Sequence, residues 1–206
     1  MTKNTESLEF WETTFKDKQM MWGDESSNTT ALTVELFKNN GLKKVLIPGF
    51  GYGRNGKVFS DNGFNVTGIE ISATAIDIAH KQYGDSMKVY HGNVTNMPFD
   101  DEIYDGVFCY ALLHLLNENE RTNLINNSYQ QLKSNGYMVF VTLSKHSQTY
   151  GEGVEISKNR FASKHGVNLF YYDEATIKAQ FSDYGLLEIK EVNEYSQTFW
   201  FIICKK

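Results

Sequence analysis

The sequence predicts an α/β protein built on a doubly wound, mostly parallel sheet that finishes on an antiparallel strand. Three observations predict it. Short apolar runs of strand length alternate with segments of helical spacing. A glycine-rich turn, in VLIPGFGYGRNG (Val45 to Gly56), follows the first of those runs directly. Near the C-terminus two strand-like runs are joined by only a few residues, too short a link for a parallel crossover.

The elements follow in order. Leu8, Phe10, Trp11 and Phe15 lie at helical spacing, and Ala31 to Asn39 places Leu32, Val34, Leu36 and Phe37 before an Asn39-Asn40-Gly41 stop. Lys44 to Pro48 reads as a buried strand, and a short helix after the turn closes at Asn62-Gly63. Phe64 to Ile69 is a second strand ending at Glu70, with Ser72 placed to cap a helix that runs to about Gln82. Met87 to His91 and Tyr104 to Cys109 are the third and fourth strands. Asn117 with Glu120 three positions on forms a capping box, and Leu124, Ile125, Tyr129 and Leu132 give that helix its apolar stripe. Asn135-Gly136 is read as its end and Tyr137 to Leu143 as the fifth strand. Asp173 to Ser182 is helical, and Leu186 to Val192 and Thr198 to Cys204 are strands of opposite sense. No internal repeat or low-complexity tract interrupts the pattern.

Composition narrows the class. The chain of 206 residues carries a formal net charge of −5, an acidic balance that argues against a nucleic-acid substrate. No run is long enough to span a bilayer, so no membrane partner is expected, and the polar start MTKNTESLEF lacks a secretory h-region. Cys109 and Cys204 sit inside apolar runs, which reads as buried thiols in a reducing compartment and hence a cytoplasmic protein. No Cys or His pair has metal-ligand spacing, so no metal is expected.

The chemistry is placed in the glycine-rich turn. Ligands of open α/β sheets bind beyond the carboxyl ends of the strands. Glycines there bring bare backbone to the ligand, and the helix that follows offers free N–H groups to an anionic end. Glu70 ends the next strand 21 residues after Gly49, where a carboxylate can accept both hydroxyls of an adenosine ribose. Gly51-Tyr52-Gly53-Arg54-Asn55-Gly56 also satisfies G-x-G-x-x-G, so an NAD(P)-dependent oxidoreductase is an alternative. Against it, the spacing counted from Gly49 is G-x-G-x-G, and the hairpin-like tail suits a second mononucleotide half poorly.

From about Trp22 to Lys206 the motifs resemble the class I S-adenosylmethionine-dependent methyltransferases. Gly49, Phe50 and Gly51 match the turn that cradles the methionine end of the cofactor. Glu70 matches the ribose-binding acid and Ile71 the residue packed on the adenine. Gly92-Asn93-Val94 stands where the family reads the adenine, with Asn93 in place of the usual Asp, and Met97-Pro98-Phe99 follows it. Tyr104-Asp105-Gly106-Val107 and Leu132-Lys133-Ser134-Asn135-Gly136 match the flanks of the fourth and fifth strands. Ile47-Pro48-Gly49-Phe50-Gly51 is similar to the thiopurine- and tellurite-type branch, which acts on small molecules. The resemblance implies a Rossmann-like seven-stranded sheet of order 3-2-1-4-5-7-6, S-adenosylmethionine as cofactor with S-adenosylhomocysteine as product, and a small-molecule acceptor. A module that holds the cofactor without turning it over is the other alternative.

The resemblance also sets domain expectations: one methyltransferase domain over 1–206, with an N-terminal helical lid at 1–40, the cofactor core at 41–143, and the substrate segment and C-terminal strands at 144–206. It would act as a monomer or homodimer. Trp22 is a candidate to screen the sulfonium, or else a packing tryptophan. Cys109 and Tyr110 end the fourth strand, the first counted with the cofactor and the second with the substrate. His114, as a general base or a substrate contact, and His146 are the catalytic candidates, or else hydrogen-bonded structural histidines. The long polar segment from Lys145 to Tyr172 is read as part of the substrate pocket, with Glu155, Arg160, Phe161 and Tyr171 as contacts, or else as a surface hairpin.

Overall fold

The computed structural model describes residues 3–206; residues 1 and 2 of the expected lid lie outside the described residues. Contacts gather into two compact units, Met1–Gly106 and Val107–Lys206. The first holds α1 (Lys3–Lys18), α2 (Asn28–Asn39), β1 (Lys44–Pro48), α3 (Arg54–Asp61), β2 (Asn65–Glu70), α4 (Ala73–Tyr83) and β3 (Lys88–His91). Strand β4 (Tyr104–Tyr110) carries the chain into the second, which holds α5 (Glu118–Gln130), β5 (Leu132–Leu143), β6 (Val154–Ser157), β7 (Arg160–Ala162), β8 (Asn168–Phe170), α6 (Glu174–Phe181), β9 (Leu186–Glu194) and β10 (Gln197–Lys205).

In the first unit β1 pairs parallel with β2, and β2 with β3. The register sets Pro48 beside Ile69 and Glu70 beside His91, so the carboxyl ends of three strands finish level. Val45, Leu46 and Ile47 are buried, as a strand covered on both faces requires. Asp105 fixes the start of β1 by accepting from the amides of Lys43 (2.7 Å) and Lys44 (2.9 Å). Gly106 lets α2 approach: a Cβ there would lie 2.4 Å from the Phe37 ring.

In the second unit β10 runs antiparallel to both β5 and β9, with Phe199 opposite Leu143 and Val192. The large sheet has the order β3-β2-β1-β4-β5-β10-β9. The expected order 3-2-1-4-5-7-6 differs only because β6, β7 and β8 precede its last two strands. Those three form a separate antiparallel sheet where a long loop was expected. All four residues of β6 are exposed, so its sequence shows no burial alternation from which to read a strand.

Two boundaries also differ. Helix α5 stops at Gln130, and Leu132, assigned to its stripe, opens β5 instead. Asn135 takes a positive φ of 62° inside that strand, and its amide donates to the Lys206 carbonyl at 2.7 Å, so pairing with the C-terminus extends the strand through the expected stop. Helix α2 begins at Asn28, because the Ser27 side chain caps it by accepting from the Thr30 amide. Among the described residues no helix is long and apolar enough to cross a membrane, and no group of side chains could hold a metal ion.

Candidate functional site

The first unit builds a turn whose backbone is bare on one side. After Pro48 the amides of Gly49 and Phe50 both donate to the Ile69 carbonyl at 2.9 Å, which folds the turn over the end of β2. Gly51 has a φ of +59°, and a Cβ added there would meet nothing within 4 Å. The left-handed backbone and the open space make a cradle that a side chain would fill. Phe50 was expected to touch the cofactor, but its ring is turned inward. It fills the spaces left by Gly53, Gly56 and Gly68, where a Cβ would approach it to 2.9, 2.4 and 2.5 Å. With its ring packed inward and the residue 5% exposed, Phe50 has its main chain to offer a ligand.

Glu70 is buried at the tip of β2. Its Oε2 accepts from the Gly51 amide at 2.7 Å and its Oε1 from the Ser72 amide at 2.9 Å. Burial raises its pKa above the usual carboxylate value, against the opposing pull of the Ser72, Gly51 and Ile71 amides and of His91. A carboxylate has about four lone-pair sites. The Gly51, Ser72 and Ile71 amides draw on three of them, which leaves acceptor capacity for a hydroxyl beside the open face of Gly51. These residues therefore fit an adenosine ribose attached to an amino acid.

Around this pair, the Gly92 amide donates to the Glu70 carbonyl at 2.8 Å and ties β3 to β2. Asn93 Oδ1 caps the following turn by accepting from the Thr95 amide at 3.0 Å, and Val94 is buried. Ile71 is half-exposed, and its carbonyl lies 3.0 Å from His91 Nε2. Trp22 is 46% exposed and stacks on Tyr52, with centroids 6.1 Å apart and planes 17° off parallel.

Sequence reasoning missed what the non-glycine residues of the turn do. Tyr52 Oη accepts from the Trp22 amide and donates to the Gly23 carbonyl. Arg54 donates to the carbonyls of Trp22 and Glu25. Asn55 Oδ1 accepts from the Ser27 amide and the Thr30 hydroxyl. Together they pin residues 22–30. Glu12 of α1 accepts from Ser72 Oγ, Thr74 Oγ1 and the Thr74 amide, at 2.7, 2.7 and 3.2 Å. Burial opposes its ionisation, but these bonds outweigh burial and hold its carboxyl at about 2. The only signal for these roles was the polarity of the residues themselves, which their sequence spacing does not explain.

The second unit holds the acceptor-side candidates. Tyr110 Oη donates to Glu194 Oε2 at 2.7 Å. The Cys109 thiol is fully buried, and burial pushes its pKa far up, so it is a packed apolar group. His114 is buried; its Nδ1 accepts from the Leu143 amide and lies equally close to Thr142 Oγ1, at 3.4 Å, and burial pushes its pKa down to about 3. His146 is exposed, with Nδ1 2.8 Å from Glu191 Oε1, and Glu191 also accepts from Ser144 Oγ. Arg160 donates to the carbonyls of Leu115 and Leu116, and burial followed by the nearby Arg121 lowers its pKa. Tyr171 is 1% exposed and donates to the Thr149 carbonyl at 2.9 Å; Glu155 is exposed and accepts from the Asn159 amide at 3.3 Å. Arg160 thus holds β7 to the turn before α5, and the Phe161 ring packs edge-on against Tyr171 at 5.9 Å.

Residues 46–140 match the family model described as a methyltransferase domain. Thiocyanate methyltransferase 1 of Brassica oleracea is 25% identical over 135 residues, which are 63% of this chain and 59% of that protein. The match therefore spans under two thirds of the curated relative's length. Three solved structures share the fold. The 1,6-didemethyltoxoflavin-N1-methyltransferase of Burkholderia thailandensis, with bound 1,6-didemethyltoxoflavin and S-adenosylhomocysteine, has a TM-score of 0.76 at 14% identity, covering 100% of this chain and 91% of that one. The magnesium protoporphyrin IX methyltransferase of Synechocystis PCC 6803, with bound SAM, has 0.74 at 15%, covering 100% and 98%. The CcbJ methyltransferase of Streptomyces caelestis has 0.74 at 18%, covering 95% and 98%. The matched family, the curated relative and these three structures are all methyltransferases, and none supports the oxidoreductase alternative. Residues 46–140, just under half of the chain, thus carry the likeness to a methyltransferase domain, and the solved structures share its fold.

Proposed function

We propose that the protein transfers a methyl group from S-adenosylmethionine to a small-molecule acceptor by in-line displacement. The observation that carries this reading is the lock between Glu70 and Gly51: a buried carboxylate fastened to the amide of a glycine whose Cα faces open space. S-adenosylmethionine supplies an already activated methyl on a sulfonium. The protein's part is then to bind and align. Glu70 accepts from the ribose through its remaining lone-pair capacity, and the main chain of Gly49 to Gly51 receives the amino-acid end. Ile71, Asn93 and Val94 flank the adenine, Asn93 through its amide oxygen. Trp22, stacked on Tyr52, covers the cofactor from the pinned N-terminal segment. Alignment of this kind contributes about 7–11 kcal/mol to a displacement.

The likeness to a thiocyanate methyltransferase and the Pro48-Gly49 turn favour a small acceptor in the thiopurine- and tellurite-type manner. On the acceptor side, the Nδ1 proton of His146 is held by the Glu191 carboxylate, so His146 Nε2 presents a lone pair and is the better placed of the two histidines to take a proton. Tyr110 and Glu155 remain the substrate contacts of this reading. We also propose that residues 1–206 act as one catalytic domain, in the cytoplasm, as a monomer or homodimer, without metal. Calorimetric titration with S-adenosylhomocysteine tests the cofactor assignment. Glu70→Ala is expected to abolish measurable binding, and unchanged affinity would refute it.

A further inference from the structure

His114 differs from the other buried polar side chains of the second unit. It is 5% exposed, and its Nδ1 accepts from the Leu143 amide. A main-chain amide can only donate, so the Nδ1 lone pair is committed and the ring proton resides on Nε2. Nε2–H has no hydrogen-bond partner among the described residues. It is therefore a donor with an unmet bond in a ring that is only 5% exposed, which is what a ligand-binding donor offers and what a structural histidine avoids. Beside it runs a series of aromatic faces. The Phe199 ring lies 6.3 Å from the imidazole, and half-buried Tyr110 stacks on Phe199 at 6.1 Å with planes 30° apart.

We propose that His114 is a fixed hydrogen-bond donor that selects the methyl acceptor: a planar aromatic or heteroaromatic molecule that lies along Tyr110 and Phe199 and presents a lone pair to Nε2–H. The assignment rests on the methyl-transfer reading above. Of the two roles expected of His114 it takes the substrate contact, which shares a proton with the acceptor instead of removing one. Burial keeps the imidazole neutral, so the donor's charge does not change across the physiological range.

Two measurements test it. Long-range nitrogen–proton NMR resolves the five histidines of the labelled protein, and the His114 signal is the one missing in His114→Gln. It is expected to show a proton on Nε2 alone. The second is methylation of 4-acetylbenzenethiol against 4-isopropylbenzenethiol, which share shape and nucleophile and differ by a carbonyl lone pair. The wild-type protein is expected to favour the acetyl compound by about tenfold in kcat/KM. The acetyl compound should also move the Nε2 resonance in the presence of S-adenosylhomocysteine. His114→Phe should erase the preference, and His114→Gln, which keeps an N–H donor, should retain part of it. If His114→Phe fails to fold, the wild-type preference and the resonance shift decide. A proton on Nδ1, equal rates, or no methylation of either thiol by protein that binds the cofactor would overturn the proposal. Loss of cofactor binding in the wild-type protein, read by calorimetry, would instead defeat the reading on which it rests.

Discussion

Replacing Gly51 by alanine separates the role of the turn in folding from its role in binding. The backbone there is left-handed, which costs an L-residue about 1–2 kcal/mol. A Cβ would meet nothing within 4 Å, so no clash is added in the free protein. For a chain of this size that predicts a fall in melting temperature of about 2–8 °C. Bound cofactor changes the result. The new methyl would occupy the space that receives the amino-acid end, and one extra methyl in a close-packed contact costs about 1–3 kcal/mol. That is roughly a 5- to 150-fold rise in Kd, and Gly51→Val should abolish binding. Gly63 is the internal control. Its φ is +80° and its Cβ would likewise meet nothing, but it lies in the turn between α3 and β2. Gly63→Ala should cost similar stability and leave affinity unchanged. Differential scanning calorimetry and titration with S-adenosylhomocysteine read the two effects. If Gly51→Ala bound with wild-type affinity, the open face of Gly51 would not belong to the ligand.

Three further outcomes follow from the same contacts. Because the Glu70 pKa is raised by burial and a ribose hydroxyl donor favours its ionised form, cofactor affinity should increase as pH rises from about 4.5 through the raised value, and binding there should release protons into the buffer; a flat profile of Kd against pH in Glu70-intact protein would contradict this. Glu12 is held at about 2, below its unfolded value, so its contribution to docking α1 is full above about pH 4.5 and is lost as pH falls toward 2. At neutral pH Glu12→Ala should cost at most about 3 kcal/mol and speed proteolysis of α1, and no change in either would show that the Ser72 and Thr74 bonds do not hold the helix. Arg160→Ala removes donors to the Leu115 and Leu116 carbonyls and should raise amide exchange in β6, β7 and β8 at a cost of about 1–3 kcal/mol, whereas unchanged exchange would mean the small sheet is held by its tyrosines alone.

What could be read from the sequence was governed by local rules. Ser72 caps α4, and Asn117 with Glu120 closes a capping box on α5, as their spacing required. Glu70 could be placed because a strand end and a fixed interval from the turn define its position without knowledge of packing. What could not be read depends on several elements meeting. The direction of the Phe50 ring is decided by the absence of side chains at Gly53, Gly56 and Gly68, which come from a turn, a helix and a strand. The bond from Glu12 to Thr74 joins residues 62 apart. The tautomer of His114 depends on the Leu143 amide, 29 residues away. The small sheet was missed because β6 buries none of its residues, so no hydrophobic period marks it.

The stretch from Gly51 to Asn55 has two functions in one short segment. Its glycine backbone faces outward at Gly51, while Tyr52, Arg54 and Asn55 face the N-terminal segment and bond it at residues 22–30. Ser72 joins the same two functions from the other side, because its amide donates to Glu70 and its hydroxyl to Glu12 of α1. A ligand that binds only the folded form stabilises it in proportion to the logarithm of its concentration over Kd. Cofactor bound at Gly51 and Glu70 should therefore protect α1 and residues 22–30 as well as the turn, through Ser72 and Tyr52 and without touching most of the protected amides. Hydrogen exchange with and without S-adenosylhomocysteine reads this directly: protection that stops at the turn and leaves α1 unchanged would show that the two sets of bonds are independent.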